Sequence, residues 1–512
     1  VLVLLTIFMA FSLWALTPVK SLEEDYYEFL VLTGKAERSY LTYRTIYTST
    51  YSNENGFWKD SLLYNTKNNL TIYGPDVFTS YNTVYPSGQN DGSLWQGKGF
   101  NAQLRLGASY KTGNFTFTLR PELDWSQNLE YETIGGTYEY FWDKFGFDLP
   151  QRFGDSSFFT FNPGDSEVRF ATEHFTVGAG FSALWTGPMY LNSVLHSNNA
   201  GSYPRADLGI MNVEVPIPFT DSKLGTIEAF YSLGILQNSE YAICNKGENS
   251  LLHVATFAFR PDFFKNLTLG VHIVDHDEFS TKGLVGFFKT LFSFKNGNED
   301  FKWSFSLDLL FDEIGFEAYG EIGQDDYGLR VNNSYHTVVF QLGMRKSFDL
   351  IKDNRLSGQV IFEYGNMEMS RDAFTQWSYN FYTHGKGSSN SSYSHLGQIL
   401  GAGTAYAGNS QYLAVQLYYP AGMTTLYAQR HNPDNNYIYD LVNHKAVDPL
   451  TYFRAFKGIL AFGFKSTVLV FNNMSVTAGA TYENIVNAYY ETGDVLIYRD
   501  NFHFEIGLSY RF

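Results

Sequence analysis

Along residues 501–512, NFHFEIGLSYRF, apolar and polar side chains alternate without a break. Phe502, Phe504, Ile506, Leu508, Tyr510 and Phe512 fall on one face of an extended strand, and Asn501, His503, Glu505, Gly507, Ser509 and Arg511 on the other. A half-buried strand of a soluble sandwich would show the same alternation. A strand in that position leaves an open sheet edge, however, and closing the sheet into a barrel removes it.

The same period recurs through the chain. Leu104, Leu106, Ala108 and Tyr110 alternate with polar partners, Thr112, Gly113 and Asn114 form a turn signal, and Phe115, Phe117 and Leu119 resume the alternation, which is the pattern of a hairpin. Trp303 to Phe311 and Phe316 to Ile322 read the same way, with Glu317, Tyr319 and Glu321 on the second face of the latter. Further strands are predicted near 173–185, 206–215, 225–235, 252–260, 267–275, 336–347, 356–365, 411–419, 423–430, 456–469 and 473–487. With weaker segments this makes roughly 16 to 18 strands, an even number being expected when both termini lie on one side of a membrane. Only residues 22–42 read as a short helical segment, periplasmic or folded into the barrel mouth. No fixed-period repeat suggests a solenoid or propeller.

Composition supports a membrane barrel over a sandwich. Aromatics are 18% of 512 residues, with 38 Tyr and 46 Phe, yet mean hydropathy is −0.22. No internal stretch approaches the roughly 20 apolar residues of a membrane helix. Strands that turn aromatics to lipid and polar groups to a lumen satisfy both observations. The aromatic end of the 501–512 strand is also similar to the signal by which bacterial outer-membrane barrels are recognised for insertion. The fold class expected is therefore all-β, a transmembrane antiparallel barrel of about 18 strands with a short N-terminal helical segment.

The apolar run 1–16, followed by Thr17 and Pro18, reads as part of a secretory signal, with Val19 and Ser21 at small-residue positions before a cleavage point. The expected organisation is a signal peptide over 1–21, a periplasmic or plug segment over 22–60, and the barrel over 61–512. The single cysteine, Cys244, rules out an intramolecular disulfide framework and is expected in a loop.

A formal net charge of −16 without clustered Lys and Arg speaks against a nucleic-acid partner. The acids are scattered, as in Asn298-Glu299-Asp300 and Gln324-Asp325-Asp326, and read as solvated faces. No G-x-S-x-G nucleophile elbow occurs, the Gly-rich run GAGTAYAG at 401–408 lacks dinucleotide spacing, and His253, His272 and His276 read as lumen or loop residues. The chain is read as a non-enzyme with no cofactor and no metal.

Three segments carry a resemblance to a known family. They are SGQNDGSLWQGKGFN at 87–101, WTGPMYLNSVLHSNNAGSYPR at 185–205, and Tyr382-Thr383-His384-Gly385 followed by YSHLGQILG at 393–401, together with Phe259-Arg260-Pro261 between two strands. In order and spacing they resemble the capsule assembly protein Wzi family. The motif residues are Asn90, Asp91, Gly92, Trp95, Trp185, Gly187, Pro188, Ser197, Asn198 and Asn199. Two features depart from the family pattern: one helix stands where a small helical bundle is implied, and Thr186 separates Trp185 from Gly187.

The resemblance implies an 18-stranded barrel of the bacterial outer membrane that acts as a lectin-like protein, binding capsular or exopolysaccharide and organising it at the cell surface. Its partners would be outer-membrane lipid and surface polysaccharide, and the protein would be a monomer. Aromatic rings suit the apolar faces of sugars, and amides, carboxylates and Arg suit their hydroxyls. The loops at 379–395 and 431–439 have that composition, which makes Tyr393, His395, His384, Tyr437, Asn435 and Arg430 the candidate polysaccharide-binding residues. Each motif also has a plain structural reading, Asn90-Asp91-Gly92 as a turn and Trp95 and Trp185 as interfacial girdle residues. The alternative from another class is a porin or substrate-specific outer-membrane channel, which needs a continuous polar path through the lumen.

Overall fold

In the computed structural model the described residues are 14–15, 21–44, 48–49, 56–58, 69–133, 150–242, 246–287, 300–325, 337–351, 355–369, 380–383, 392–443, 448–490 and 496–512. Cys244 and His384 lie outside them. The strands close into an antiparallel barrel of 18. In chain order they are β1 (70–82), β2 (99–112), β3 (115–119 and 122–126), β4 (158–162 and 167–171), β5 (175–180), β6 (205–216), β7 (223–237), β8 (249–261) and β9 (267–278). There follow β10 (300–311), β11 (316–325), β12 (338–351), β13 (356–366), β14 (409–419), β15 (422–432), β16 (458–471), β17 (474–486) and β18 (498–510). β3 and β4 are each broken near the middle, at Arg120-Pro121 and at 163–166, and pair on both sides of the break.

Closure is made by β18 against β1, with His503 opposite Asn82 and Leu508 opposite Val77. The alternation read from the sequence is the alternation of the wall. Phe504 and Ile506 are 47% and 61% exposed on the outside, whereas Asn501 is 0% exposed within. An apolar exterior over a polar interior is what a closed strand ladder in lipid requires, since every backbone group must find its partner inside the protein.

One end of the barrel has tight turns, such as 113–114, 420–421 and 472–473, and the other has the long connections 83–98, 181–204, 367–408 and 433–457. In outer-membrane barrels the short turns are periplasmic and the long loops extracellular.

The predicted strands recur with ends shifted by a few residues, and β1 and β4, whose alternation is broken by Gly74-Pro75 and by Pro163-Gly164, escape the sequence reading. The helical segment is shorter than 22–42. Helix α1 is Leu22–Leu32, capped by Ser21 Oγ accepting from the Glu24 N–H at 3.2 Å. The chain then turns and runs extended to Arg44 inside the barrel.

The interior corrects the reading of the acids as solvated. Asp300 and Asp325 are 2% and 1% exposed and clasp Lys302 at 2.5 and 3.1 Å. Other wall carboxylates hold the inserted backbone. The Glu228 carboxylate accepts the N–H groups of Leu41, Thr42 and Tyr43 at 2.9, 3.0 and 2.9 Å. Glu363 accepts those of Tyr190 and Leu191 at 2.5 and 2.8 Å, and Glu321 that of Val194 at 3.1 Å. A polar lumen wall thus satisfies the backbone of two segments that enter from opposite ends.

Candidate functional site

The segment after α1 packs against the inner wall of the barrel near its short-turn end. Arg38 reaches Glu28 at 3.0 Å, Asp308 at 2.5 Å and Glu317 at 2.7 Å, and Arg345 reaches Glu28 at 3.1 Å. Burial alone would raise the Glu28 carboxyl, but Arg38 and Arg345 outweigh it and hold the group at about 2. Past this cluster the plug meets the loop 181–204, which dips into the lumen from outside. The Arg44 N–H donates to the Trp185 carbonyl at 2.9 Å, and the Gly187 N–H to that of Thr42 at 3.0 Å. Gly187 has φ +79°, and a Cβ there would stand 3.0 Å from Glu321 Oε2, so only glycine fits.

The infolded loop is locked to two others at a three-way junction. Asn198 Nδ2 donates to the Asn90 carbonyl at 3.0 Å, the Gly92 N–H to the Asn198 carbonyl at 2.9 Å, and the Asn90 N–H to Asn199 Oδ1 at 3.2 Å. Ser197 Oγ donates to the Gly401 carbonyl at 2.6 Å and Asn199 Nδ2 to that of Ile399 at 2.9 Å. Tyr382 Oη donates to the Val194 carbonyl at 2.6 Å and accepts the Ala402 N–H at 2.8 Å. The segments at 87–101, 185–205 and 382–401, far apart in sequence, therefore converge on one another. Asn90 and Gly92, with φ of 57° and 63°, do form the turn their sequence suggests, and Pro188 lies on the infolded stretch.

Above this junction, on the long-loop side, an open cleft of about 560 Å³ lies between the 85–97 loop and the inner faces of β14 to β18. Its deep wall carries Tyr412 and Tyr427, with ring centroids 5.8 Å apart. Its rim carries Tyr85, Tyr131 and Tyr489, Tyr85 lying 5.9 and 6.0 Å from the other two rings. Trp95 lines it from the side, half-buried, against Phe153 at 4.8 Å.

The polar lining is of two kinds. Glu483 accepts from Ser87 Oγ at 2.7 Å and Asn501 Nδ2 at 2.8 Å, and Glu505 pairs with Lys465 at 3.0 Å. Trp95 Nε1, Gln96 Oε1, Gln429 Nε2 and His431 Nδ1, by contrast, have no protein hydrogen-bond partner among the described residues. Each buried polar group left so costs about 1–3 kcal/mol unless water or a ligand satisfies it. The ring-lined wall with its amide, imidazole and carboxylate side chains makes this cleft the candidate binding site. Burial also pushes the Asp91 carboxyl, beside Gln96, up to about 6.

The candidate residues from the sequence are distributed differently. Asp91 and Trp95 line the cleft. Trp185 is no girdle residue, being 0% exposed in the lumen under the Arg44 guanidinium, 4.9 Å from its ring. Tyr393 is fully buried, stacked 6.4 Å from Tyr382, so it presents no ring to the outside. His395 is buried against Tyr203, with Nδ1 accepting from the Gln237 N–H at 3.2 Å. The stretch read as an open loop at 431–439 runs into the helix Asn435–Asn443, in which Tyr437 packs edge-on to Tyr490 at 5.2 Å and Asn435 Nδ2 donates to Glu368 at 2.9 Å. Arg430 points outward from β15, away from the cleft, and bonds Asn409 and Gln411. Gln96 and His431, which do line the cleft, fall inside the 87–101 and 431–439 segments without being named as site residues, and Gln429 and Lys457 were hidden in the sequence: the inner positions of β15 are legible, but not which stretch of wall remains uncovered.

No protein-family model matches the chain, and no curated protein matches it. Among solved structures it is similar to Wzi of Escherichia coli, described as an outer-membrane protein involved in group 1 capsule assembly and a carbohydrate-binding β-barrel. Identity is 13%, the TM-score is 0.61, and the match covers 96% of this chain and 99% of that one. OccK2 of Pseudomonas aeruginosa (10% identity, TM-score 0.40, covering 86% and 96%) and OprB of Pseudomonas putida (9%, 0.37, 93% and 100%) match more loosely. At these identities the likeness to Wzi speaks for the fold. The chain is an 18-stranded barrel of the bacterial outer-membrane type.

Proposed function

We propose that this protein is a lectin-like barrel that binds capsular or exopolysaccharide in its outward-facing cleft and organises it at the cell surface, without cleaving it. The observation that carries the reading is the cleft itself, whose wall and rim set tyrosine and tryptophan rings among amide, imidazole and carboxylate side chains on the long-loop side. Aromatic faces stack on the apolar faces of pyranose rings, and planar amides bond adjacent hydroxyls. The 560 Å³ volume suits a few sugar units of a longer chain that enters and leaves through the open rim.

The channel reading needs a continuous polar path, and the plug and the infolded loop meet across the lumen through Thr42, Arg44, Trp185 and Gly187. The test is titration of the folded protein with oligosaccharides released from the surface polysaccharide of the producing cell, with reducing ends measured in parallel. Saturable binding that falls about tenfold in Trp95→Ala, with no new reducing ends, is expected. Equal binding by wild type and variant removes the cleft from the account, and accumulating reducing ends place the protein among enzymes.

A further inference from the structure

Gln429 and His431 face the cleft, and Arg430, between them on β15, faces the opposite way, out of the barrel. The outer wall beneath it is not smooth. A groove of about 430 Å³ runs over β14 to β17, where Ala428 and Ala480 stand among Leu413, Leu426, Phe462 and Phe464. All four large side chains are exposed, so the groove opens to lipid.

The strand ladder places the groove in one leaflet. Leu426 pairs with Phe464 and Ala428 with Phe462. The next pair toward the long loops, Arg430 with Leu460, continues sideways into Gln411, Asn484 and Asp500, so apolar side chains give way to polar ones at that level. From Leu426 to Arg430 is four residues of strand, about 14 Å, which fits within half of a hydrocarbon core about 30 Å thick. The groove and the arginine therefore belong to the outer leaflet.

Arg430 is held at the head of the groove with one edge open. Its Nη1 donates to Asn409 Oδ1 and to Gln411 Oε1, and Asn409 is itself oriented by donating Nδ2 to Glu368 at 2.7 Å. Both acceptors are neutral. Among the described residues no carboxylate pairs with Arg430, and its Nε and Nη2 make no hydrogen bond. That edge is the one through which a guanidinium bonds two oxygens of a phosphate. The acid at the same level, Asp500, is three strands away, about 14 Å, and is engaged by Tyr482 Oη at 2.7 Å and Asn484 Nδ2 at 3.0 Å.

An acyl chain suits the groove, and a phosphate at the outer end of that chain suits the arginine. In a bacterial outer membrane the phosphorylated lipid of the outer leaflet is an acylated glycolipid. We infer that this face of the barrel seats one such molecule, the lipid A part of lipopolysaccharide, with an acyl chain over Ala428 and a phosphate on Arg430. The site lies on the outside of the wall and is independent of glycan binding in the cleft.

The experiment is native mass spectrometry of the folded full chain released from detergent micelles. The protein is titrated with diphosphoryl lipid A, with the same lipid after removal of its phosphates, and with phosphatidylglycerol. Wild type should retain a single lipid A, bound about tenfold more tightly than either of the other two. Arg430→Gln should lower the affinity for lipid A to that of the dephosphorylated form, and Ala428→Trp, which fills the groove, should weaken both forms. Leu342→Trp, on the exposed outer face of β12, should change neither. Equal retention of phosphatidylglycerol and lipid A by wild type would reduce the site to ordinary contact with anionic lipid and overturn the inference, as would no retention of lipid A. Retention that falls equally in Leu342→Trp would also overturn it. So would retention unchanged in Arg430→Gln, an exposed substitution that decides the matter alone if Ala428→Trp loses the heat-modifiable fold.

Discussion

Arg44 and Trp185 are joined twice: the Arg44 N–H donates to the Trp185 carbonyl at 2.9 Å, and the Arg44 guanidinium lies over the Trp185 indole, 4.9 Å from its centroid. One residue belongs to a segment that enters from the periplasmic end and the other to a loop that enters from outside, so the two segments meet inside the barrel.

Removing that contact should open the barrel. Arg44 also binds Glu24 at 2.9 Å with both groups buried, and breaking a buried pair leaves an uncompensated charge at a cost of about 3–5 kcal/mol. In planar bilayers wild type should show no steady conductance, and Arg44→Ala should show frequent openings. A large steady conductance of the wild type would promote the channel reading.

The plug should also respond to acid. Because the folded-state pKa of Glu28 is depressed to about 2, its stabilisation is complete above the ordinary glutamate value and is lost as pH falls from there toward 2. The contribution is on the order of 3 kcal/mol. Hydrogen exchange of the 22–44 segment should be slow at pH 7 and 5 and rise relative to the barrel strands near pH 3, with Glu28→Gln already elevated at pH 7. Protection of wild type that is unchanged down to pH 2 would show that the Arg38 cluster does not seat the plug.

The wall offers a test of its two faces. Phe504 is exposed to lipid while its neighbour His503 bonds Asn82 inside at 2.7 Å. Phe504→Arg should cost about 2–4 kcal/mol and reduce the heat-modifiable protein recovered in outer-membrane fractions. Full recovery would mean that the strand faces are reversed.

Much of this architecture can be read from the chain alone, because a period of two is a local property. The alternation in 103–111, 303–311 and 501–512 marks strands and assigns their faces, and the turn at Gly113-Asn114 marks a hairpin. What local pattern does not carry is which polar residues inside the wall are covered. Tyr393 and Tyr437 have the composition of a sugar-binding loop, yet both pack beneath other elements, whereas Gln429 and Lys457, in no such loop, line the cleft. The motif residues Asn90, Asn198 and Asn199 were visible as a resemblance in two separate segments, and their hydrogen bonds to one another are a property of the closed barrel.

The central claim, that surface glycan lies in the cleft between the 85–97 loop and β14 to β18, is tested most directly by photo-crosslinking. A fragment of the producing cell's surface polysaccharide carrying a diazirine is irradiated on the folded protein, and the labelled peptides are mapped. The account predicts label on the peptides containing Trp95, Gln429 and Lys457, competed away by unlabelled glycan. Competable label confined to peptides outside the cleft, such as the outward face around Arg430, or no competable label at all, would contradict it.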